Sequence, residues 1–361
     1  MNRCAAVSYV QRWGRELNVM VREVSPVAVG IEGVGSYLPP KVVEAWDAVK
    51  GTGIPRAKFE KIGGRRLHVA TGNESPSDMA IVSARRAMED AGCGPEEIDA
   101  IIYTGSIKDH GRWTASARVQ HELGCRRAFC FDIYQGCNGQ NMAMHLGRAL
   151  LRNDERVERI LICSAERFDT TLDPPMMGQT YLFGDGSSAG ILKRGHGRLQ
   201  ILATAYRTWG VHYDNFAVPA YGTWAKLTPE AIEKGLYRLQ LWRPRCTTRE
   251  QLLAFGEQVL RIGDELIEEA CRLAGIRRSD ISFVITVNGS KRHNRLFIDS
   301  MRLSHCGSNI DYIEETAHMG SSDTFYNLRR AIDEGAVKPG DIILFYTGGA
   351  GYTWAITLVR Y

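Results

Sequence analysis

The chain has 361 residues, of which 44% are hydrophobic and 24% are charged. This length allows one large domain or two fused domains with a substantial core, and the composition is that of an ordinary globular protein. The formal net charge is only +4, from 45 basic and 41 acidic residues, so the total charge gives no indication of nucleic-acid binding.

Cysteine usage and hydropathy narrow the class further. The nine cysteines form no CxxC pair and no Cys/His zinc spacing, which argues against a disulfide framework and against a structural metal. No apolar run approaches the roughly 18 to 20 residues of a membrane span, and the charged first 25 residues lack the apolar core of a signal peptide. We therefore expect a cytoplasmic protein with free thiols, in which residues 1–26 are an N-terminal extension.

The first predicted strand covers residues 27–37, and a basic loop follows between residues 54 and 70. Lys61, Arg65 and Arg66 surround two consecutive glycines in this loop. Such a cluster is either a solvated surface or a clasp for phosphates. The residues alone favour the surface.

Helix and strand signals alternate from there to a cysteine. We predict a helix over 78–91, a strand over 98–104, a helix over 115–123 and a strand over 128–133. Cys137 follows in a Gly-flanked turn, and a further helix is predicted from residue 142. The free amides and dipole of a helix start would favour a thiolate, so Cys137 is a candidate nucleophile. A lone free cysteine is also often a small buried hydrophobe.

Two further stretches complete the first half. After a strand at 160–163, residues 178–192 are rich in small residues and contain Asp185 between two glycines. A metal-ligand role for Asp185 is conceivable, but we expect it to cap backbone amides. The aromatic-rich residues 206–248 show little periodicity and are interpreted as an inserted flap, whose aromatic side chains either line a ligand tunnel or pack beneath a long loop.

The alternation resumes after the flap. Predicted elements are a helix at 249–274, a strand at 281–287, a helix at 295–302, a strand near 310–313, a helix up to 334, and strands at 342–346 and 354–359. We therefore divide the chain into residues 27–205 and 249–361 as two similar α/β halves with mixed sheets, separated by the flap. No GxGxxG fingerprint or Walker A motif is present, so nicotinamide and nucleoside triphosphate chemistry lack support.

Several motifs in order resemble the thiolase superfamily, most closely β-ketoacyl synthase III (KAS III) and its acyltransferase relatives. They are GVGSYLP at 33–39, GCNG at 136–139, LFGDGSSA at 182–189, KPG at 338–340 and GGAGYTW at 348–354. The match spans the chain apart from residues 1–26 and the flap.

The resemblance implies a five-layered αβαβα fold, normally a homodimer, with an acyl group carried on Cys137. It implies that the amides of Cys137 and Ala350 hold the oxyanion, and that Lys61, Arg65 and Arg66 grip the phosphates of coenzyme A or phosphopantetheine. For this basic loop, the resemblance therefore favours phosphate binding over a solvated surface. The carrier is a substrate, coenzyme A or an acyl carrier protein, and no tightly bound cofactor, metal, nucleic acid or membrane partner is implied. The family's neighbouring tryptophan has no evident counterpart.

The second half departs from the family pattern. Condensing KAS III enzymes use a His and an Asn as hydrogen-bond donors, and Asp323 stands where that Asn is expected. An ionised Asp cannot donate, but it can orient and charge-stabilise a His that deprotonates an alcohol or amine. The expected His position falls near Asn288 by spacing, whereas the nearest histidine, His293, is chemically the better base. The resemblance gives His318, close to Asp323, a supporting role.

The sequence therefore predicts a KAS III-like acyltransferase of a biosynthetic, secondary-metabolic pathway, which passes an acyl group from a thioester through Cys137 to an oxygen, nitrogen or carrier-bound acceptor. Decarboxylative Claisen condensation is one alternative. A non-catalytic thiolase-fold partner subunit is another.

Overall fold

The computed structural model describes residues 27–220 and 222–361, so the predicted N-terminal extension lies outside the described residues. The helices of four or more residues in the described part are α1 (Ala45–Val49), α2 (Arg56–Ile62), α3 (Pro76–Ala91), α4 (Ala115–Leu123), α5 (Gly139–Asn153), α6 (Pro229–Glu233), α7 (Arg249–Ala274), α8 (Lys291–Ser300), α9 (Ile313–Thr316) and α10 (Asp323–Asp333).

Ten strands of the described chain form one large sheet, and the others form small two-stranded ribbons. The strands are β1 (Val29–Tyr37), β2 (Lys41–Glu44), β3 (Arg66–Val69), β4 (Ala100–Tyr103), β5 (Phe129–Asp132), β6 (Arg159–Glu166), β7 (Met176–Met177), β8 (Tyr181–Leu182), β9 (Gly186–Arg194), β10 (Gln200–Thr208), β11 (Phe216–Ala217), β12 (Gln240–Leu241), β13 (Phe283–Thr286), β14 (Gly307–Ser308), β15 (Ile342–Gly349) and β16 (Thr353–Arg360).

The large sheet consists of two halves with the same topology. Its order is β14-β13-β15-β16-β10-β1-β9-β6-β4-β5. In each half the first strand in the chain pairs antiparallel with the last, and the second strand lies between two parallel neighbours. The halves meet where β1 pairs with β10, at Gly30 and Gln200. The prediction of two related halves with mixed sheets is confirmed.

Three hydrophobic clusters give the molecule its layers. Residues of α5 and α10, such as Met144 and Phe325, pack between the two halves of the sheet. Side chains of α3 and α4 cover the outer face of the first half, and α7 and α8 cover the outer face of the second. Because each helix buries one apolar stripe against a sheet face, the order is helix, sheet, helix, sheet, helix, as the family resemblance implies.

Some predicted boundaries differ from the structure. Strand β10 pairs with β16 and begins the second repeat, so the second half starts at residue 200 instead of after the flap. The predicted strand near 310–313 is wrong: those residues form a 3-10 turn and the start of α9, and the edge strand is β14. Flap residues 216–217 and 240–241 pair as a short ribbon.

No helix in the part of the chain that the structure describes is long and apolar enough to cross a membrane.

Candidate active site

Cys137 lies on a one-turn 3-10 helix, Gly136–Asn138, directly before the 15-residue helix α5. Gly136 has φ +52, a left-handed conformation that a glycine adopts at little cost. The turn places Cys137 just before the first turn of α5, where the helix dipole favours negative charge. Cys137 is partly exposed, so the position meets the requirement for a reachable nucleophile.

His318 reaches the thiol from the second half of the chain. Its Nε2 lies 3.0 Å from Sγ of Cys137. The backbone of His318 is held by the first half, because its N–H donates to the carbonyl of Leu182 and its carbonyl accepts from the N–H of Gly184. Segments of both halves thus fix the imidazole.

Asp323, the first residue of α10, orients the imidazole from behind. Its Oδ2 accepts from His318 Nδ1 at 2.5 Å and from the N–H of Asn288 at 2.6 Å, and its Oδ1 accepts from the N–H of Met319 at 2.9 Å. Asp323 and His318 are both buried. Cys137, His318 and Asp323 therefore form a nucleophile–base–carboxylate triad.

The charges around His318 favour its protonated form. Burial alone would lower the pKa of His318, but the negative charges of Cys137 and Asp323 and the hydrogen bonds to both outweigh burial and raise that pKa well above its ordinary value. The site therefore favours an imidazolium at His318, between Asp323 and the thiol.

The side chain of Asn288 faces away from the thiol. Its Nδ2 donates to Thr316 Oγ1 at 3.2 Å and to Asn327 Oδ1 at 3.3 Å, and its Oδ1 accepts from Asn309 and Asn327 at 3.0 and 3.1 Å. Asn288 is almost fully buried. Its amide is occupied by an interior polar network, so the residue at the expected His position cannot donate to a substrate oxygen.

His293, the chemically preferred base, is an exposed residue of α8. Its ring lies 6.5 Å from the ring of Tyr181, and Tyr181 in turn lies 6.1 Å from the ring of His318. His293 is thus a neighbour of Tyr181, whereas the imidazole hydrogen-bonded to the thiol is that of His318. The structure corrects the expectation that His293 serves Cys137: the histidine against the thiol is His318.

Two side chains lock the triad helices together across the halves. Ser321 Oγ accepts from the N–H of Gln140 in the first turn of α5 at 2.9 Å. In return, Gln140 Oε1 accepts from the N–H of Phe325 in the first turn of α10 at 3.1 Å. Each helix start is therefore capped by the opposite half, which fixes the distance between Cys137 and His318.

The glycine loop after β15 lies against the nucleophile turn, as the predicted oxyanion hole requires. A Cβ on Gly136 would come within 3.2 Å of the amide nitrogen of Ala350, and a Cβ on Gly349 would come within 2.0 Å of the carbonyl oxygen of Gln135. Only glycines allow this approach. The amides of Cys137 and Ala350 are thus on adjacent segments.

The predicted phosphate-binding cations are on the surface, and two of them have acidic partners. Arg65 pairs with Glu314 at 3.2 Å, and Arg66 pairs with Glu315 at 2.9 Å. Lys61, in the last turn of α2, is exposed. The basic cluster is therefore partly neutralised by residues from the second half.

Asp185 accepts hydrogen bonds from the N–H groups of Ala70 and Phe168, at 2.8 and 2.7 Å. The prediction that it caps backbone amides is confirmed, and the carboxylate ties two loops to the start of β9.

His318 lies closer to the thiol than the supporting role expected from the sequence implies. Its signal was the separation of five residues from Asp323, interrupted by Gly320, which has φ +58. A helix would place residues five apart on different faces, but a left-handed glycine folds the segment back, so both side chains meet. That reversal is visible only in the folded backbone.

Comparisons with known proteins agree with this fold. Family models described as 3-oxoacyl-[acyl-carrier-protein] synthase III match residues 131–210, and those of its C-terminal part match residues 271–361. A β-ketoacyl-[acyl-carrier-protein] synthase III of Erythrobacter litoralis is 28% identical over 93% of this chain and 100% of its own length.

Solved structures share the fold over the same extent. The 3-oxoacyl-[acyl-carrier-protein] synthase III of Aquifex aeolicus superposes with a TM-score of 0.76 at 23% identity, covering 92% of this chain and 100% of its own. An acyltransferase named ChlB3 superposes with a TM-score of 0.77 at 24% identity, covering 92% of this chain and 97% of its own. The family models and the near full-length relatives thus show that the chain is similar to 3-oxoacyl-[acyl-carrier-protein] synthase III over most of its length, and the solved structures show that it shares their fold.

Proposed function

We propose that this protein transfers an acyl group from a coenzyme A or acyl-carrier-protein thioester, through an acyl-enzyme on Cys137, to an oxygen or nitrogen nucleophile of a biosynthetic acceptor. The observation that carries the proposal is the hydrogen-bonded chain from Asp323 through His318 to Cys137. A base held by a carboxylate is the arrangement that deprotonates an incoming hydroxyl or amine.

The same geometry argues against decarboxylative condensation. That reaction needs two neutral donors at the thioester oxygen as carbon dioxide leaves, which the family supplies from a His and an Asn. Here the side-chain amide of Asn288 already donates to Thr316 and Asn327. The carboxylate of Asp323 accepts hydrogen bonds and cannot donate one. Fold neighbours are named both acyltransferase and priming β-ketosynthase, so the fold accommodates either reaction and the site residues have to decide.

The steps balance with the residues in place. The Cys137 thiolate attacks the thioester carbonyl, the amides of Cys137 and Ala350 stabilise the oxyanion, and the imidazolium of His318 gives its proton to the leaving thiolate. Neutral His318 then takes the proton of the acceptor O–H or N–H as that atom attacks the acyl-enzyme. Collapse expels the Cys137 thiolate and restores the imidazolium pair, while Asp323 stays ionised.

The test is intact-protein mass spectrometry after incubation with a panel of acyl-CoA and acyl-carrier-protein thioesters. We expect a mass increase of one acyl group for the parent protein and none for Cys137→Ala. Addition of an alcohol or amine acceptor should then remove the acyl group as an ester or amide. An adduct of the same mass on Cys137→Ala would place the acyl group elsewhere and contradict the proposal.

We also propose that Lys61, Arg65 and Arg66 contact the donor's phosphates. Because Glu314 and Glu315 already hold the two arginines, the exposed Lys61 is the cation best able to bind a phosphate. Its contribution should be small, since exposed ion pairs contribute up to about 1 kcal/mol. We expect Lys61→Ala to raise KM for a coenzyme A donor roughly 2- to 5-fold and to leave KM for the matching acyl-pantetheine unchanged.

We propose a homodimer that covers the sheet edge formed by β5. This edge strand carries Phe129, which is 49% exposed and stacks on Phe131 with ring centroids 6.2 Å apart. Exposed apolar edge strands pair readily with a second copy. Sedimentation equilibrium should give twice the chain mass, and Phe129→Asp should weaken the association. A monomer at micromolar concentration would contradict this state.

A further inference from the structure

Glu166 is a buried carboxylate near the triad, and it has no role in the acyl-transfer steps described above. It is the last residue of β6 and is fully buried. One carboxylate oxygen accepts from the N–H of Ser106 at 2.8 Å and the other from the N–H of Ile107 at 3.0 Å. A buried acid is costly unless it is paired, and here it anchors the loop that follows β4.

The other side of this carboxylate touches the turn that joins His318 to Asp323. A Cβ on Gly320 would lie 2.9 Å from Oε1 and 2.8 Å from Cγ of Glu166. The loop after β4 reaches the same turn, because the hydroxyl of Thr104 hydrogen-bonds that of Ser321 at 2.9 Å. Glu166 is therefore wedged between the β4 loop and the backbone that sets the position of the base.

The electrostatic surroundings point in the same direction. Burial raises the pKa of Glu166 to about 7, while the two backbone amides and the positive charge of His318 lower it in part. Tyr103 of β4 also acts on Glu166, and burial raises the pKa of this phenol well above its ordinary value, so it is uncharged at neutral pH. Asp323 lies beyond His318. The positive charge of His318 is among the influences that lower the pKa of Glu166.

We propose that Glu166 is a positioning residue for His318, which holds the 320–322 turn in place and whose charge helps to keep the imidazolium beside Cys137. It acts through His318 and touches no substrate. The inference rests on the proposed function of His318 in the triad. Its electrostatic effect is expected to be smaller than that of Asp323, which contacts the ring directly.

The test is the pH dependence of Cys137 alkylation by iodoacetate, followed by peptide mass mapping so that other cysteines do not contribute. The anionic reagent reacts fastest with a thiolate beside an imidazolium, so its rate should fall on the alkaline side as His318 loses its proton. Without the Glu166 charge, Glu166→Gln should move this alkaline limb to lower pH by roughly half a unit to one unit. Glu166→Asp, which keeps the charge, should stay nearer to the parent profile.

Asp185→Asn is the matched control, because it also removes a buried carboxylate that accepts two backbone amides but does not touch the 320–322 turn. It should leave the limb in place. Superimposed profiles for Glu166→Gln and the parent, or equal shifts in Glu166→Gln and Glu166→Asp, would overturn the proposal. So would a parent profile without an alkaline limb.

If thermal unfolding shows that Glu166→Gln does not fold, Glu166→Ala gives a second measurement. It removes the charge and leaves room beside Gly320 without changing the backbone of the turn, so the limb should again move to lower pH. An unmoved limb overturns the proposal. Alkylation needs no acyl donor, so a failure of acyl transfer itself would appear separately, as the absence of an acyl adduct on a protein with an intact alkylation profile.

Discussion

Cys137 and His318 come from different halves of the chain, and single side chains determine what their contact can do. In the proposed mechanism Asp323 allows His318 to act as a base, whereas a neutral donor at position 323 would leave His318 a hydrogen-bond donor only. Asn288 lies where the resemblance predicts a catalytic histidine, but its side chain is part of a buried network with Asn309 and Asn327. The sequence had already pointed to Cys137, to Asp323 and to the doubtful histidine position at Asn288 as candidates.

Replacing the two candidate histidines separates their roles. We expect His318→Ala to slow acylation of Cys137 by roughly 10²- to 10⁴-fold, because the general base and acid is lost. His293→Ala should change the rate less than 2-fold or so, since this exposed neighbour of Tyr181 reaches neither reacting atom. Stopped-flow release of the donor thiol measures both rates. A larger loss for His293→Ala would reverse the assignment.

Asn288→Ala tests the structural role of that residue. Truncation leaves buried partners on Asn309, Asn327 and Thr316 unpaired, so the free energy of unfolding should fall by about 1–3 kcal/mol. The rate of acylation per folded molecule should change less than in His318→Ala, because Asp323 is held by the Asn288 backbone N–H and not by its side chain. Urea unfolding and the same thiol-release assay check this. Loss of acylation in a fully stable variant would contradict it.

At the scale of elements, the site depends on two helices, α5 and α10, that occupy equivalent places in the two repeats. Because helices and strands alternate along the sequence, both halves and their mixed sheets could be predicted. The alternation does not predict which residues of one repeat contact the other. The hydrogen bond from the Gln140 amide to Ser321 spans 181 residues of chain, and the fold-back at Gly320 depends on a single backbone angle. Long-range caps of this kind leave no local periodicity.

Ser321→Ala tests the cross-half cap. It removes the acceptor for the Gln140 N–H at a helix start and the partner of Thr104, and we expect a loss of about 1–2 kcal/mol in unfolding free energy together with slower acylation. Ser322→Ala is the matched control, because the Ser322 hydroxyl is buried without a hydrogen-bond partner, so its removal should cost little. Thermal unfolding of the pair gives the comparison, and equal losses would count against the cap.

For the whole molecule, buried carboxylates make stability depend on pH. Burial raises the pKa of Asp185 to about 6 from an ordinary 3.8, so the native state holds this proton more tightly than the unfolded state. The resulting stabilisation is fully present below the unfolded pKa and is lost as pH rises through about 6. Glu166 behaves in the same way, with a pKa raised to about 7.

The stability of Asp185→Asn relative to the parent protein should therefore increase as pH rises. Between pH 5 and pH 8 the parent should lose about 1–2 kcal/mol of unfolding free energy that the variant does not lose. Urea unfolding of both proteins at the two pH values gives the change in unfolding free energy for each. Comparing the two changes cancels the contribution of the other titrating groups. An unchanged difference would mean that Asp185 is ionised at both pH values.

The fate of a preformed acyl-enzyme shows whether the Cys137–His318–Asp323 triad passes its acyl group to oxygen or nitrogen, as we propose. The acylated protein is divided between a panel of alcohols and amines and a carboxyl-labelled malonyl thioester. We predict loss of the acyl group to an ester or amide product, without labelled carbon dioxide and without a 3-oxoacyl product. Release of labelled carbon dioxide together with carbon–carbon bond formation would contradict the account.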